Sequence, residues 1–133
     1  MKYFTIPELT ASAKARALGI DNTPPPGVKI KLAALVNNLL DPIREKWGKS
    51  IAVNSGYRCP VLNQKVGGVQ TSQHLRGEAA DITAGSPAEN NRLFKMILDG
   101  GFDFDQLIDE RGYAWLHISY SPGKNRRQIL HKQ

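Results

Sequence analysis

The sequence predicts an α+β fold in which a small, largely antiparallel sheet packs against N-terminal and central helices. Two observations lead there. Helical periodicity dominates the first third of the 133 residues, while short β-like runs come mostly later. The last two of those runs flank Arg111-Gly112 and read as a hairpin. The length suits one domain, residues 1–133, with a real hydrophobic core.

Phe4 to Gly19 reads as a first helix. Thr5-x-x-Glu8 fits a capping box, Pro7 falls in the first turn, and Gly19 closes it. Asp21 to Gly27 is a short, stiff, Pro-rich connector. Val28 to Trp47 carries one apolar face of Leu32, Leu35, Val36, Leu39, Leu40, Ile43 and Trp47, and Pro42 is expected to kink it or start a new segment. Ile51 to Asn54 is a short strand running into Ser55-Gly-Tyr-Arg58. Pro60 to Val66 makes one or two helical turns, and a polar loop follows to Arg76. Ala79 to Thr83 is a second strand. Ser86-Pro-Ala-Glu89 caps a helix carrying Leu93, Phe94, Ile97 and Leu98. Phe104 to Asp109 and Ala114 to Tyr120 form the hairpin, and Asn125 to Gln133 is a basic, polar tail.

Composition narrows the classes. Apolar content of 41% and charged content of 23% are ordinary for a globular domain. No apolar run approaches the ~20 residues that span a bilayer. The N-terminal residues lack the apolar segment of a secretory signal, so the expectation is synthesis in the cytoplasm without a recognisable signal peptide. A single cysteine, Cys59, excludes an internal disulfide and any multi-cysteine zinc knuckle. It reads as a small hydrophobe, and Trp47 as a core residue. The net charge of +6 favours a polyanionic partner, either nucleic acid or an anionic cell wall. The basic tail has little aromatic interleaving, so no nucleic-acid partner is expected.

The chemistry concentrates in Ser55 to Ile82. His74 and Asp81 lie seven apart within S-x-H-x-x-G-x-A-x-D, and His117 sits downstream in AWLHISY. Two imidazoles and a carboxylate make a three-ligand set for Zn2+ that leaves one position for water, the layout of a catalytic rather than a structural site. Asp81 and His117 fall on strands, which hold ligands stiffly. Arg58 could clamp a carboxylate bidentately. Ser72 could orient the ligand loop or donate to a substrate. His131 carries no role.

These residues carry a resemblance. S-G-Y-R, V-G-G, S-Q-H-L-R-G-E-A-A-D-I, D-Q-L-I-x-E and W-L-H-I-S-Y resemble the zinc D-Ala-D-Ala carboxypeptidase family, which groups with lysostaphin-type enzymes and the hedgehog signalling domain. The likeness runs from the first helix through Tyr120 and is closest to short members from phages, prophages and bacteria. It implies a hedgehog/DD-peptidase-like fold with His74, Asp81 and His117 as zinc ligands and Arg58 on the substrate carboxylate. It implies hydrolysis of peptidoglycan stem peptides, as a carboxypeptidase or an endolysin-type endopeptidase. Such a protein would be a monomer and would reach the wall only if released or exported.

One position departs from the family pattern. Many relatives carry Asp or Glu three residues before the second His, where this chain has Ala114. Glu110 is the candidate general base. A two- or four-residue loop after Glu110 places it on the face of His117, and a three-residue loop places Asp109 there instead. Glu in the family's Q-L-I-x-E pattern favours Glu110, and Glu78 is the next candidate. The departure also keeps open a catalytically silent zinc-binding module that holds cell wall or a protein.

Overall fold

The computed structural model describes all residues, 1–133. Helices α1 (Ile6–Thr10), α2 (Ala13–Leu18), α3 (Pro26–Leu35) and α4 (Asp41–Trp47) come first. Strand β1 (Ala52–Ser55), helix α5 (Pro60–Lys65), a 3-10 turn (Gln73–Arg76) and strand β2 (Ala79–Thr83) follow. Helix α6 (Pro87–Asp99) leads to β3 (Gln106–Glu110), β4 (Trp115–Ser119) and β5 (Gln128–Lys132). The five strands form one sheet in the order β1-β2-β4-β3-β5. Every pair is antiparallel except β3 with β5. The α+β expectation therefore holds.

The expected first helix is two helices. Ala11 is extended, and the Ser12 hydroxyl accepts from the Ala15 amide at 3.1 Å to start α2. The break has a tertiary cause. The Leu9 carbonyl, which a continuing helix would give to residue 13, accepts instead from the Tyr57 amide at 2.7 Å. Asn22 holds the same junction. Its amide nitrogen donates to the Thr10 and Tyr57 carbonyls, and its oxygen accepts from the Cys59 amide at 2.8 Å.

The apolar helix continues through Pro42 rather than ending there. A π turn over Val36–Leu40 joins α3 to α4, and the Asp41 amide reaches the Val36 carbonyl. The turn widens the helix just where a proline ring would crowd the carbonyl four residues before it. All six aliphatic residues of the expected face, Leu32 through Ile43, are buried in one core cluster. Trp47 packs at its margin. Opposite them, α6 supplies Leu93, Phe94 and Ile97, and the sheet supplies Ala80, Ile82, Leu107, Leu116 and Ile118. Each buried aliphatic side chain contributes about 1.5–3 kcal/mol.

The sheet therefore has two chemically different faces. Ile82, Leu107, Leu116 and Ile118 point into the helical core, and period-two alternation turns Asp81, Ile108, Glu110 and His117 to the other side. The C-terminal residues are not a loose tail. Gln128–Lys132 pairs in parallel along β3, and the Arg127 and Gln128 amides donate to the Phe104 and Asp105 carbonyls. Pairing with a strand more than 20 positions away supplies the partner that local composition could not indicate.

Gly56 sits against α1 without room for a side chain. An added Cβ would lie 2.1 Å from the Leu9 carbonyl oxygen. Gly56→Ala should destabilise the protein by at least about 1–3 kcal/mol, as overpacking does. Gly27→Ala, where an added Cβ meets nothing within 4 Å, should be near neutral. Urea unfolding of the two variants beside the parent checks this.

Candidate metal centre and cleft

The backbone around Gly56 does more than pack. Its carbonyl lies 2.7 Å from His74 Nδ1. A carbonyl only accepts, so Nδ1 carries the proton and Nε2 keeps its lone pair. The Ser72 hydroxyl caps the 3-10 turn by accepting from the His74 amide at 3.2 Å. The His74 carbonyl accepts from the Arg58 amide at 3.1 Å. His74 thus comes from a loop, as its sequence suggests, but one fixed at ring and backbone.

Asp81 and His117 are directly paired across β2 and β4. Asp81 Oδ1 lies 3.4 Å from His74 Nε2 and 3.3 Å from His117 Nδ1. One donor atom from each of the three residues falls within 4.8 Å of the others. The imidazole centroids are 5.2 Å apart, their planes inclined at 68°. A tetrahedral zinc with bonds of about 2.0–2.1 Å separates its ligand atoms by about 3.3 Å, so this donor set fits the ion. Burial opposes the charge on Asp81. The His117 and His74 imidazoles beside it, the first hydrogen-bonded through Nδ1, outweigh it and hold the carboxyl well below the usual range, so Asp81 is ionised.

The trio opens on a cleft of about 890 Å³. Arg58 and Ser72 stand on its wall, the guanidinium donating to the Ser72 hydroxyl at 3.3 Å. Burial lowers the Arg58 pKa, and the charges of Asp81 and Glu110 act against that shift. Its Nε has no partner and is buried. A second cavity of about 510 Å³, bounded by α2, β1 and α5, shares Arg58 and Asp81 with the first.

Glu110 lines the cleft and pairs with Trp115. The turn between β3 and β4 has four residues, Arg111–Ala114, so the even-length case applies and Glu110 shares the face of His117. Arg111, Gly112 and Tyr113 all take positive φ there. The Glu110 carboxylate makes no hydrogen bond or ion pair within 4 Å. Asp109 points the other way, buried and paired with His131 on β5. Glu78 is engaged behind the sheet by Arg76 at 2.7 Å and Lys31 at 3.5 Å. Cys59 is half-buried, its Sγ accepting from the Leu62 amide at 3.5 Å as the cap of α5.

Sequence reasoning missed three supports of this site. The Gly56 carbonyl is backbone and leaves no mark in a motif. Gln73, beside His74, donates to Asp105 at 2.7 Å. Asp105 is 2% exposed and also accepts from Arg126 Nε at 2.8 Å and from a terminal guanidinium nitrogen at 2.9 Å. Only a glutamine next to a candidate ligand histidine hinted at this strut.

The comparisons with known proteins agree with the geometry. The Peptidase M15 family profile matches residues 2–119. The chain belongs to the peptidase M15 family. A relative, the zinc D-Ala-D-Ala carboxypeptidase of Streptomyces albus G, is 39% identical over 71 residues, which cover 47% of this chain. The matched region spans only 28% of that relative's length. His74, Asp81 and His117, all within the matched residues, form the group that could hold a metal ion. No helix is long and apolar enough to cross a membrane.

Two measurements follow. His117→Ala should weaken zinc binding by well over tenfold in chelator competition, while the parent holds about one ion per chain. Asp105→Asn should cost about 1–3 kcal/mol at neutral pH, because a buried charged acceptor is lost. Its bonds to Arg126 and Gln73 hold the Asp105 carboxyl below its ordinary value. Its contribution is therefore full above the unfolded carboxyl's pKa near ~4 and fades as pH falls through the lower folded value. The gap between parent and variant should close on acidification, as read by urea unfolding across pH.

Proposed function

We propose that this chain is a zinc-dependent peptidase that hydrolyses peptide bonds in peptidoglycan stem peptides. The observation that carries the reading is the meeting of His74, Asp81 and His117 in a cleft also lined by Glu110 and Arg58. Family membership and the name of the Streptomyces relative support it. His74 Nε2, His117 Nδ1 and an Asp81 oxygen would hold the zinc, which supplies Lewis acidity toward a carbonyl oxygen and a water molecule.

The chain's own residues do the rest. Glu110 takes a proton from the attacking water and delivers it to the departing amine. Its carboxylate has no competing partner, so it is free for that exchange. Arg58, rigid beside Ser72, binds a substrate carboxylate and sets the direction of the peptide in the cleft. Ala114 lies in the turn, and Glu110 fills the role that relatives assign to an acidic residue there.

Two readings of the scissile bond rest on different observations. Arg58 and the relative's name support removal of a C-terminal residue. The second cavity beyond Arg58 and Asp81 supports an internal cut, because residues on both sides of the bond would have room. Mass spectrometry of digested muropeptides separates them, since one releases a single amino acid and the other two peptides. Uncut muropeptides with zinc bound would instead indicate a silent binding module.

Glu110→Gln should keep zinc and fold but lower turnover by about 10²-fold or more. Asp109→Asn, on the opposite face, should leave kcat within about threefold of the parent after correction for folded fraction. Steady-state kinetics with zinc content measured in parallel checks both.

A further inference from the structure

The cleft wall opposite the core carries more positive charge than one substrate clamp explains. Five cations line it against three carboxylates. Two of those carboxylates are engaged, Asp81 by the imidazoles and Asp105 by Arg126. Arg76 is likewise spent, on Glu78 and the Thr71 carbonyl.

Arg126 differs from an ordinary surface cation. Buried Asp105 takes its Nε and one terminal nitrogen, at 2.8 and 2.9 Å, and also accepts its backbone amide at 3.1 Å. The side chain is still 57% exposed. A guanidinium has five N–H donors. The bonds to Asp105 use the side edge, so the end edge between the two terminal nitrogens remains available. That edge matches a second carboxylate. Because Asp105 already fixes the fork, little rotamer entropy is lost when a ligand binds. Lys124 lies on the same wall, in the turn closed by its amide on the Ser121 carbonyl, and has no acidic partner within 4 Å.

We propose that Arg126 and Lys124 form a carboxylate subsite, separate from Arg58, that selects peptides bearing a second free carboxylate. The proposal rests on the peptidase reading of the cleft and names the substrate class it takes. The cleft then holds an acidic peptide at two charged points, with Arg58 beside the metal ligands and Arg126 near the start of β5.

The test uses two synthetic pentapeptides ending in D-Ala-D-Ala, identical except that the third residue's side chain ends in a carboxylate or a carboxamide. Each is titrated by calorimetry into the zinc-loaded full chain at low salt, and the same mixtures are assayed for cleavage of any bond. The parent should bind the carboxylate peptide about tenfold more tightly, in keeping with a charge-assisted bidentate contact. The preference should shrink by at least about threefold in Lys124→Gln, which disturbs nothing buried, and in Arg126→Lys, which keeps the charge beside Asp105 but loses the fork. It should also weaken as salt rises. Equal binding of the two peptides, binding of neither, or a preference unchanged in both variants overturns the subsite. Cleavage without preference would sink the subsite and leave the peptidase reading standing, whereas preference without cleavage would do the reverse.

Discussion

The Gly56 backbone is the constraint on which the site depends. Its α-carbon abuts the end of α1 closely enough to exclude any side chain, and the next amide, on Tyr57, takes the Leu9 carbonyl. Its own carbonyl then meets His74 Nδ1. One peptide segment therefore fixes the end of a helix, the position of a loop and the tautomer of a candidate metal ligand. A hydrogen bond to the non-ligating nitrogen is the usual means of orienting a ligand histidine. Here the acceptor is a carbonyl tied to the N-terminal helices, so the metal centre is coupled to packing far from it in sequence.

The sheet supplies the other half of the arrangement. Alternation along β2, β3 and β4 sends aliphatic side chains into the helical core and sends Asp81, Glu110 and His117 to the cleft. The same parity isolates Asp109 with His131 on the core side, so two neighbouring carboxylates have different surroundings. The four-residue turn sets which one shares the face of Asp81 and His117. Shortening it by one residue would exchange them. Stability and chemistry are thus written in alternate positions of the same strands.

Much of this was legible in the sequence, for physical reasons that also explain what was not. Arg58 and the candidate donors His74 and Asp81 stand in one dense, glycine-flanked stretch, and the third, His117, stands in a separate β-like run downstream. The buried stripe of α3 and α4 follows from helical period alone, and β2 has the expected bounds. The placement of Glu110 needed the turn length as well, which the sequence left between two parities. Features that depend on distant partners were missed. The break at Ala11 arises because Tyr57 competes for a helix carbonyl. β5 is a strand because β3 offers it an edge. Asp105 is buried because Gln73 and Arg126 both reach it, and no local pattern joins positions so far apart.

The central claim is that the clamp by Gly56 turns His74 Nε2, with His117 Nδ1 and an Asp81 oxygen, onto one zinc ion. A crystal structure of the zinc-loaded protein, with anomalous data collected at the zinc edge, tests it directly. The account predicts one strong peak within about 2.0–2.2 Å of those three atoms. The Gly56 carbonyl should remain bonded to His74 Nδ1. A peak ligated by His74 Nδ1 with the Gly56 contact broken, or no peak among the three residues, would contradict it.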